Sequence, residues 1–130
     1  MKVSIFEGPL FVNWNYNYVC NFNCSHCYSR STSYKDDLST EQHRVIVDTF
    51  SQSKVFRVNL GGGEPIMRKD CIEIIEKISE KGMEAYLSTN GWFMNDDTLN
   101  ALKKARLAML VVSLDHSKAN IHDNFRRKTG

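Results

Sequence analysis

Strand-like apolar runs alternate with helix-like segments along the whole of this 130-residue chain, and that alternation limits the fold more than any other feature. Residues 10–19 carry Phe11, Val12, Trp14, Tyr16, Tyr18 and Val19. Such an aromatic and β-branched run predicts a strand. Further strands are predicted over 55–60, 83–88 and 109–114, with Val58, Leu60, Val111 and Val112 giving the buried character of a parallel sheet. Between them, Ser39 predicts an N-cap and Gln42 completes a capping box, opening a helix that carries Val45, Ile46, Val47 and Phe50. A second helix is predicted over about 68–81, stopped by Gly82. Asn95 predicts the cap of a third, with Asp96 and Asp97 in its first turn and Lys103, Lys104 and Arg106 near its end, an order that suits the helix dipole. A fourth begins near Ser117. Strand–helix alternation with helices long enough for crossovers predicts an α/β fold with a parallel sheet.

Every unusual cluster falls just after a strand. Cysteines follow the first, Gly61-Gly62-Gly63-Glu64-Pro65 the second, Ser88-Thr89-Asn90-Gly91 the third, and Ser113-Leu114-Asp115 closes the fourth. In parallel α/β folds the loops after the strands open on one face, where ligands bind. Separate features of the sequence therefore converge on one site. The polar stretch over 30–37 suits a loop.

Cys20, Cys24 and Cys27 form a C-x3-C-x2-C arrangement. Neighbours this close are poorly placed to pair with one another, and in a reducing compartment clustered cysteines read as metal ligands. Three thiolates can each hold one iron of a cubane cluster and leave the fourth iron open for a substrate or cofactor. Cys71 reads differently. With Ile74, Ile75 and Ile78 it forms the apolar face of one helix, so a buried, inert thiol is expected.

Composition excludes little but helps. At 42% hydrophobic and 25% charged the chain is an ordinary globular sequence. A net charge of +2 gives no argument for nucleic acid or membrane binding, and no apolar run is long enough to cross a bilayer. The early Glu7 argues against a signal peptide, so a cytoplasmic protein is expected.

Cys20-x3-Cys24-x2-Cys27 followed by Tyr28, then Gly62-Gly63-Glu64-Pro65, then Ser113-Leu114-Asp115 and His122-Asp123-x2-Arg126, resembles the radical S-adenosylmethionine (SAM) superfamily. Within it the chain is most similar to the branch of peptide-modifying and sulfatase-maturing enzymes with a SPASM-type extension. The resemblance implies a partial (β/α)6 TIM-like barrel, with residues 1–130 as the N-terminal part of its core domain. It implies a [4Fe-4S] cluster on Cys20, Cys24 and Cys27, with SAM chelating the fourth iron. Reductive cleavage of SAM would give a 5′-deoxyadenosyl radical that takes a hydrogen atom from a substrate, the protein holding and shielding the cofactors. A ribosomally made peptide is the expected substrate, a small molecule the alternative, and flavodoxin or ferredoxin the expected type of electron donor.

Residue by residue, the resemblance places Gly62 and Gly63 against the methionyl group, where missing side chains let the backbone approach a ligand. Glu64 offers an acceptor for the ammonium, and Pro65 stiffens the turn. His26 stands where the family usually has an aromatic residue near the adenine. Tyr28 is expected to pack at the base of the loop. Ser88 and Asn90 would approach the methionine moiety, although Asn-Gly turn chemistry explains them equally well. Ser113 could bond the ribose or carboxylate, and Asp115 could do so too or face the substrate. Arg126 could pair with the SAM carboxylate, or belong to a solvated basic run with Arg127 and Lys128. His116 stands where relatives commonly have glycine, so the turn must take a Cβ or differ in shape.

Two other readings remain at this point. The same superfamily includes enzymes of cofactor and haem biosynthesis and of sulfatase maturation. A non-catalytic iron–sulfur or zinc module is the reading from another class, with His26 as a fourth zinc ligand. Four such close neighbours would be strained around one zinc, and zinc gives no reason for Gly62-Gly63-Glu64-Pro65.

Overall fold

The computed structural model describes residues 8–29 and 37–130. Residues 30–36 of the loop expected at 30–37 and the N-terminal heptapeptide lie outside them. The elements are β1 (Phe11–Asn17), α1 (Thr40–Gln52), β2 (Arg57–Gly62), a 3-10 turn (Pro65–Met67), α2 (Cys71–Glu80), β3 (Glu84–Thr89), α3 (Asp96–Lys104), β4 (Met109–Val112) and α4 (Ala119–Arg126). The strands form one sheet in the order β1-β2-β3-β4, and all three pairings are parallel. Each strand lies beside the next in sequence. A barrel wall has that order, whereas a doubly wound sheet reverses about a switch point. Among the described residues no helix is long and apolar enough to cross a membrane.

The two faces of the sheet differ, because strand side chains alternate. One face carries Tyr16, Val58, Leu60, Ala85 and Leu87, all buried, with Val12, Trp14 and Leu110 packed against them. Helices cover this face. Cys71, Ile74, Ile75 and Ile78 of α2 are at most 1% exposed, which confirms the expected apolar stripe. Each such isoleucine contributes about 1.5–3 kcal/mol by leaving water. Val47 of α1 and Leu102 of α3 close the same core. The opposite face carries Asn13, Asn15, Asn59, Gly61 and Ser88, and these polar and small residues leave room for a ligand.

Local rules set most boundaries. The Ser39–Gln42 capping box is formed in both directions, and Asn95 accepts the Thr98 N–H at 2.8 Å. Gly82 ends α2 with φ +80. The strands depart from expectation at their ends. β1 stops at Asn17 because the register breaks between Asn15 and Asn17, after which the backbone serves the next loop. β2 runs into the glycines as far as Gly62. α2 starts at Cys71 rather than 68, after the Pro65–Met67 turn. Asp70 stands at its N-cap but makes no capping bond. Its carboxylate instead accepts from Tyr16 Oη (2.5 Å), Thr40 Oγ1 (2.8 Å) and Arg68 (2.8 and 2.9 Å). Burial pushes that carboxyl up, but these donors outweigh it and hold it well below the usual range.

Candidate functional site

The cysteine loop begins where β1 ends, and its backbone is anchored from below. Gly63 N–H donates to Asn17 O and Glu64 N–H to Val19 O, both at 2.8 Å. This contact explains the glycines differently from the sequence. A Cβ on Gly63 would stand 2.2 Å from Val19 O, and one on Gly62 would stand 2.2 Å from Asn17 O with φ at +106. The glycines are required because the tail of β1 crosses them. Both also line the cavity described below.

Glu64 is fully buried. Its carboxylate accepts from Asn90 N–H (2.7 Å), Thr89 Oγ1 (2.8 Å) and Ile66 N–H (3.3 Å). Burial pushes its carboxyl up from the usual range, against these three donors. It ties the end of β2 to the end of β3 and does not line the cavity, so the structure places it behind the position expected for a SAM ligand.

From the other side, α4 grips the loop. Ser25 donates to Phe125 O through both its N–H and its hydroxyl, each at 3.1 Å. The His26 ring stacks on Phe125 with centroids 4.4 Å apart and planes 10° from parallel. Arg126 Nη1 lies 3.9 Å from Cys24 Sγ. From β3, Asn90 Nδ2 donates to Asn21 Oδ1 at 2.8 Å and lies 3.8 Å from Cys20 Sγ. Phe22 N–H reaches the same sulfur at 3.4 Å.

These contacts surround a cavity of about 480 Å³ at the carboxyl ends of the strands, within the usual range of ligand sites. Cys20, Cys24 and Cys27 line it together with His26, Gly62, Gly63, Ser88, Asn90, Ser113 and Arg126. Of the sequence-derived candidates, Glu64 and Asp115 do not line it. Asp115 lies outside, paired with Arg126. His116 is exposed and is absent from the left-handed residues, so the turn admits its Cβ. Tyr28 corrects an expectation: it is 83% exposed and lines the cavity instead of packing beneath the loop, with Oη 3.4 Å from Asn15 Oδ1. Asn13, Asn15 and Asn59 were missed as site residues. The alternation of Asn13, Asn15 and Asn17 with Val12, Trp14 and Tyr16 was their signal.

The Radical SAM superfamily model matches residues 14–130. The chain belongs to that superfamily. Among curated relatives it is 36% identical to Fe-coproporphyrin III synthase of Methanosarcina barkeri, over 100% of this chain and 33% of that protein. It is 33% identical to the mycofactocin maturase MftC of Mycolicibacterium smegmatis, over 94% of this chain and 31% of that one. The fold matches Streptococcus suis SuiB bound to S-adenosylmethionine, with a TM-score of 0.78 at 18% identity, over 93% of this chain and 27% of SuiB. The chain thus spans about a third of the length of these curated relatives, and its four parallel strands match the N-terminal part of the radical SAM barrel.

The superfamily implies a [4Fe-4S] cluster and SAM, and the donor set here fits them. Among the described residues no group of three His, Cys, Asp or Glu is placed to hold a single metal ion. A cubane makes a different demand, because each thiolate goes to its own iron and the sulfurs need not converge. The three cysteines form no disulfide and line the cavity. Burial pushes the Cys20 thiol up from its ordinary range. The thiolate there needs a compensating cation, which bound iron supplies.

Proposed function

We propose that the protein is a radical SAM enzyme that modifies a peptide. One observation carries the reading: a single cavity at the ends of the strands gathers Cys20, Cys24 and Cys27 with Gly62, Gly63, Ser88, Asn90 and Ser113. The cysteines would hold the cluster, which when bound supplies the electron for cleavage of SAM to a hydrogen-abstracting 5′-deoxyadenosyl radical. Glycine backbone, Ser88 and Ser113 would hold the methionine and ribose of SAM. Asn90 would fix the Cys20 side of the loop, and Glu64 would brace Asn90 from behind.

The deeper wall favours a peptide. Asn13, Asn15 and Asn59 present carboxamides on the polar face, with Asn59 Nδ2 donating to Asn13 Oδ1 at 3.2 Å and Ser88 Oγ to Asn59 Oδ1 at 3.0 Å. Carboxamides match the donors and acceptors of a peptide backbone. A porphyrin would need a broad apolar wall and cations for its carboxylates, and Arg126 is the cation among the described lining residues. SuiB has also been solved with its precursor peptide SuiA.

The haem-pathway reading is second, supported by the 36% identity to Fe-coproporphyrin III synthase. An external one-electron donor of the flavodoxin or ferredoxin type and an oxygen-limited cytosol complete the proposal. The test compares substrates. Anaerobic protein with SAM and dithionite should form 5′-deoxyadenosine above its background with a candidate precursor peptide and not with Fe-coproporphyrin III. The reverse result would move the protein to the haem pathway.

A further inference from the structure

Arg126 admits a more specific role than the sequence offered. Its side chain is 11% exposed, and two of its guanidinium nitrogens face partners. Nε pairs with Asp115 Oδ2, while Nη1 lies 3.9 Å from the Cys24 sulfur. Asp115 is itself held in place. Its N–H donates to His122 Nδ1 at 3.3 Å, and that nitrogen lies 3.9 Å from the Asp115 carboxylate. Arg126 is the last residue of α4, and Arg127 at φ 53 ends the helix behind it. The neighbouring Phe125 fixes Ser25 and His26, the two residues between Cys24 and Cys27. The cation is therefore fixed from the helix, from the β4–α4 loop and from the cysteine loop at once.

A rigid cation beside one ligand sulfur acts on a cluster's reduction potential. Reduction adds a negative charge, which a nearby cation and an N–H···S bond stabilise, so the potential rises. Asp115 takes the Nε edge of the guanidinium and Cys24 faces Nη1.

We propose that Arg126 is a positioning residue for the cluster rather than a ligand of SAM: Asp115 holds its guanidinium against Cys24, where it raises the cluster's reduction potential and keeps it within reach of the electron donor. This rests on the radical SAM reading above.

The test uses anaerobically reconstituted protein, wild type and variants. Cluster reduction is followed by electron paramagnetic resonance in a redox titration without SAM, and SAM binding is measured separately by equilibrium dialysis. Arg126→Gln should keep the iron content, move the midpoint potential to more negative values and leave SAM affinity unchanged. Arg126→Lys, which keeps the charge, should recover part of the shift. An unmoved potential in Arg126→Gln overturns the proposal, and a SAM Kd raised about tenfold in that variant would make Arg126 a carboxylate ligand instead. Should Arg126→Gln fail to load iron, Arg126→Lys and Arg126→Met decide: the same potential in both, one charged and one not, overturns the proposal as well. A wild-type protein that loads no cluster would overturn the radical SAM reading itself, a result distinct from any of these.

Discussion

Gly61 and Gly63 are near neighbours in one glycine run, yet alanine should act on them in opposite ways. A Cβ at Gly63 would lie 2.2 Å from Val19 O, 2.6 Å from Val19 C and 2.8 Å from Tyr18 C. All three are backbone atoms and cannot rotate away. Residues 18–19 would have to retreat, which strains or breaks the bonds from Gly63 N–H to Asn17 O and from Glu64 N–H to Val19 O. Overpacking of this kind costs about 1–3 kcal/mol, and each lost backbone bond adds roughly 1 kcal/mol. Gly63→Ala should therefore lose about 3–5 kcal/mol, a large share of a domain's typical total of about 5–15 kcal/mol. At Gly61 the added Cβ would meet only Ser88 Cβ, at 3.9 Å, which is ordinary contact. Gly61→Ala should be neutral or more stable by up to about 1 kcal/mol, because alanine loses less entropy in a strand. The assay is urea unfolding of reduced, iron-free protein, followed by circular dichroism, so that no cofactor contributes. The reasoning fails if Gly63→Ala unfolds within about 0.5 kcal/mol of wild type. It fails equally if both alanines cost the same, since the glycines would then serve something other than the tail of β1.

Alanine at Cys20, Cys24 or Cys27 should abolish cluster uptake and SAM cleavage, whereas Cys71→Ala should keep the wild-type iron content; iron and sulfide assays separate the two groups. Glu64→Gln puts an NH2 group against a buried N–H or hydroxyl donor and should cost about 1–3 kcal/mol in chemical unfolding, with SAM affinity falling only as Asn90 shifts. A stability unchanged in Glu64→Gln alongside weaker SAM binding would make the carboxylate a direct ligand. His43 is 1% exposed, and burial lowers its pKa below the ordinary 6.5. Below that value the unfolded chain binds a proton the folded chain refuses, so stability should be complete above about pH 7 and fall as the pH drops through 6.5. His43→Leu should flatten that slope in thermal melts between about pH 7 and 5, leaving the separate loss below about pH 4 that follows from the depressed carboxyl of Asp70.

What could be read beforehand was what local rules govern. The Ser39 and Asn95 caps, the Cys71 stripe, the Gly82 stop and the strand–helix order each depend on residues a few positions apart. The convergence of strand-end motifs was also legible, because a parallel sheet forces it. Contacts across the chain were not. Nothing near Glu64 says that its carboxylate turns inward to Thr89 and Asn90. Nothing near Ser25 names Phe125, a hundred residues on, as its partner. The β1 tail that crosses Gly62 and Gly63 was hidden too, since its path follows the Asn15–Asn17 register break. The asparagine face of β1 was present as alternation but was masked by the aromatic residues between.

Anaerobic reconstitution with iron and sulfide, followed by SAM and dithionite, tests the central claim most directly. About four irons per chain that disappear when Cys20, Cys24 or Cys27 is replaced, together with release of 5′-deoxyadenosine, is the expected result. Tetrahedral zinc on the same cysteines, or a loaded cluster that leaves SAM intact, would contradict it.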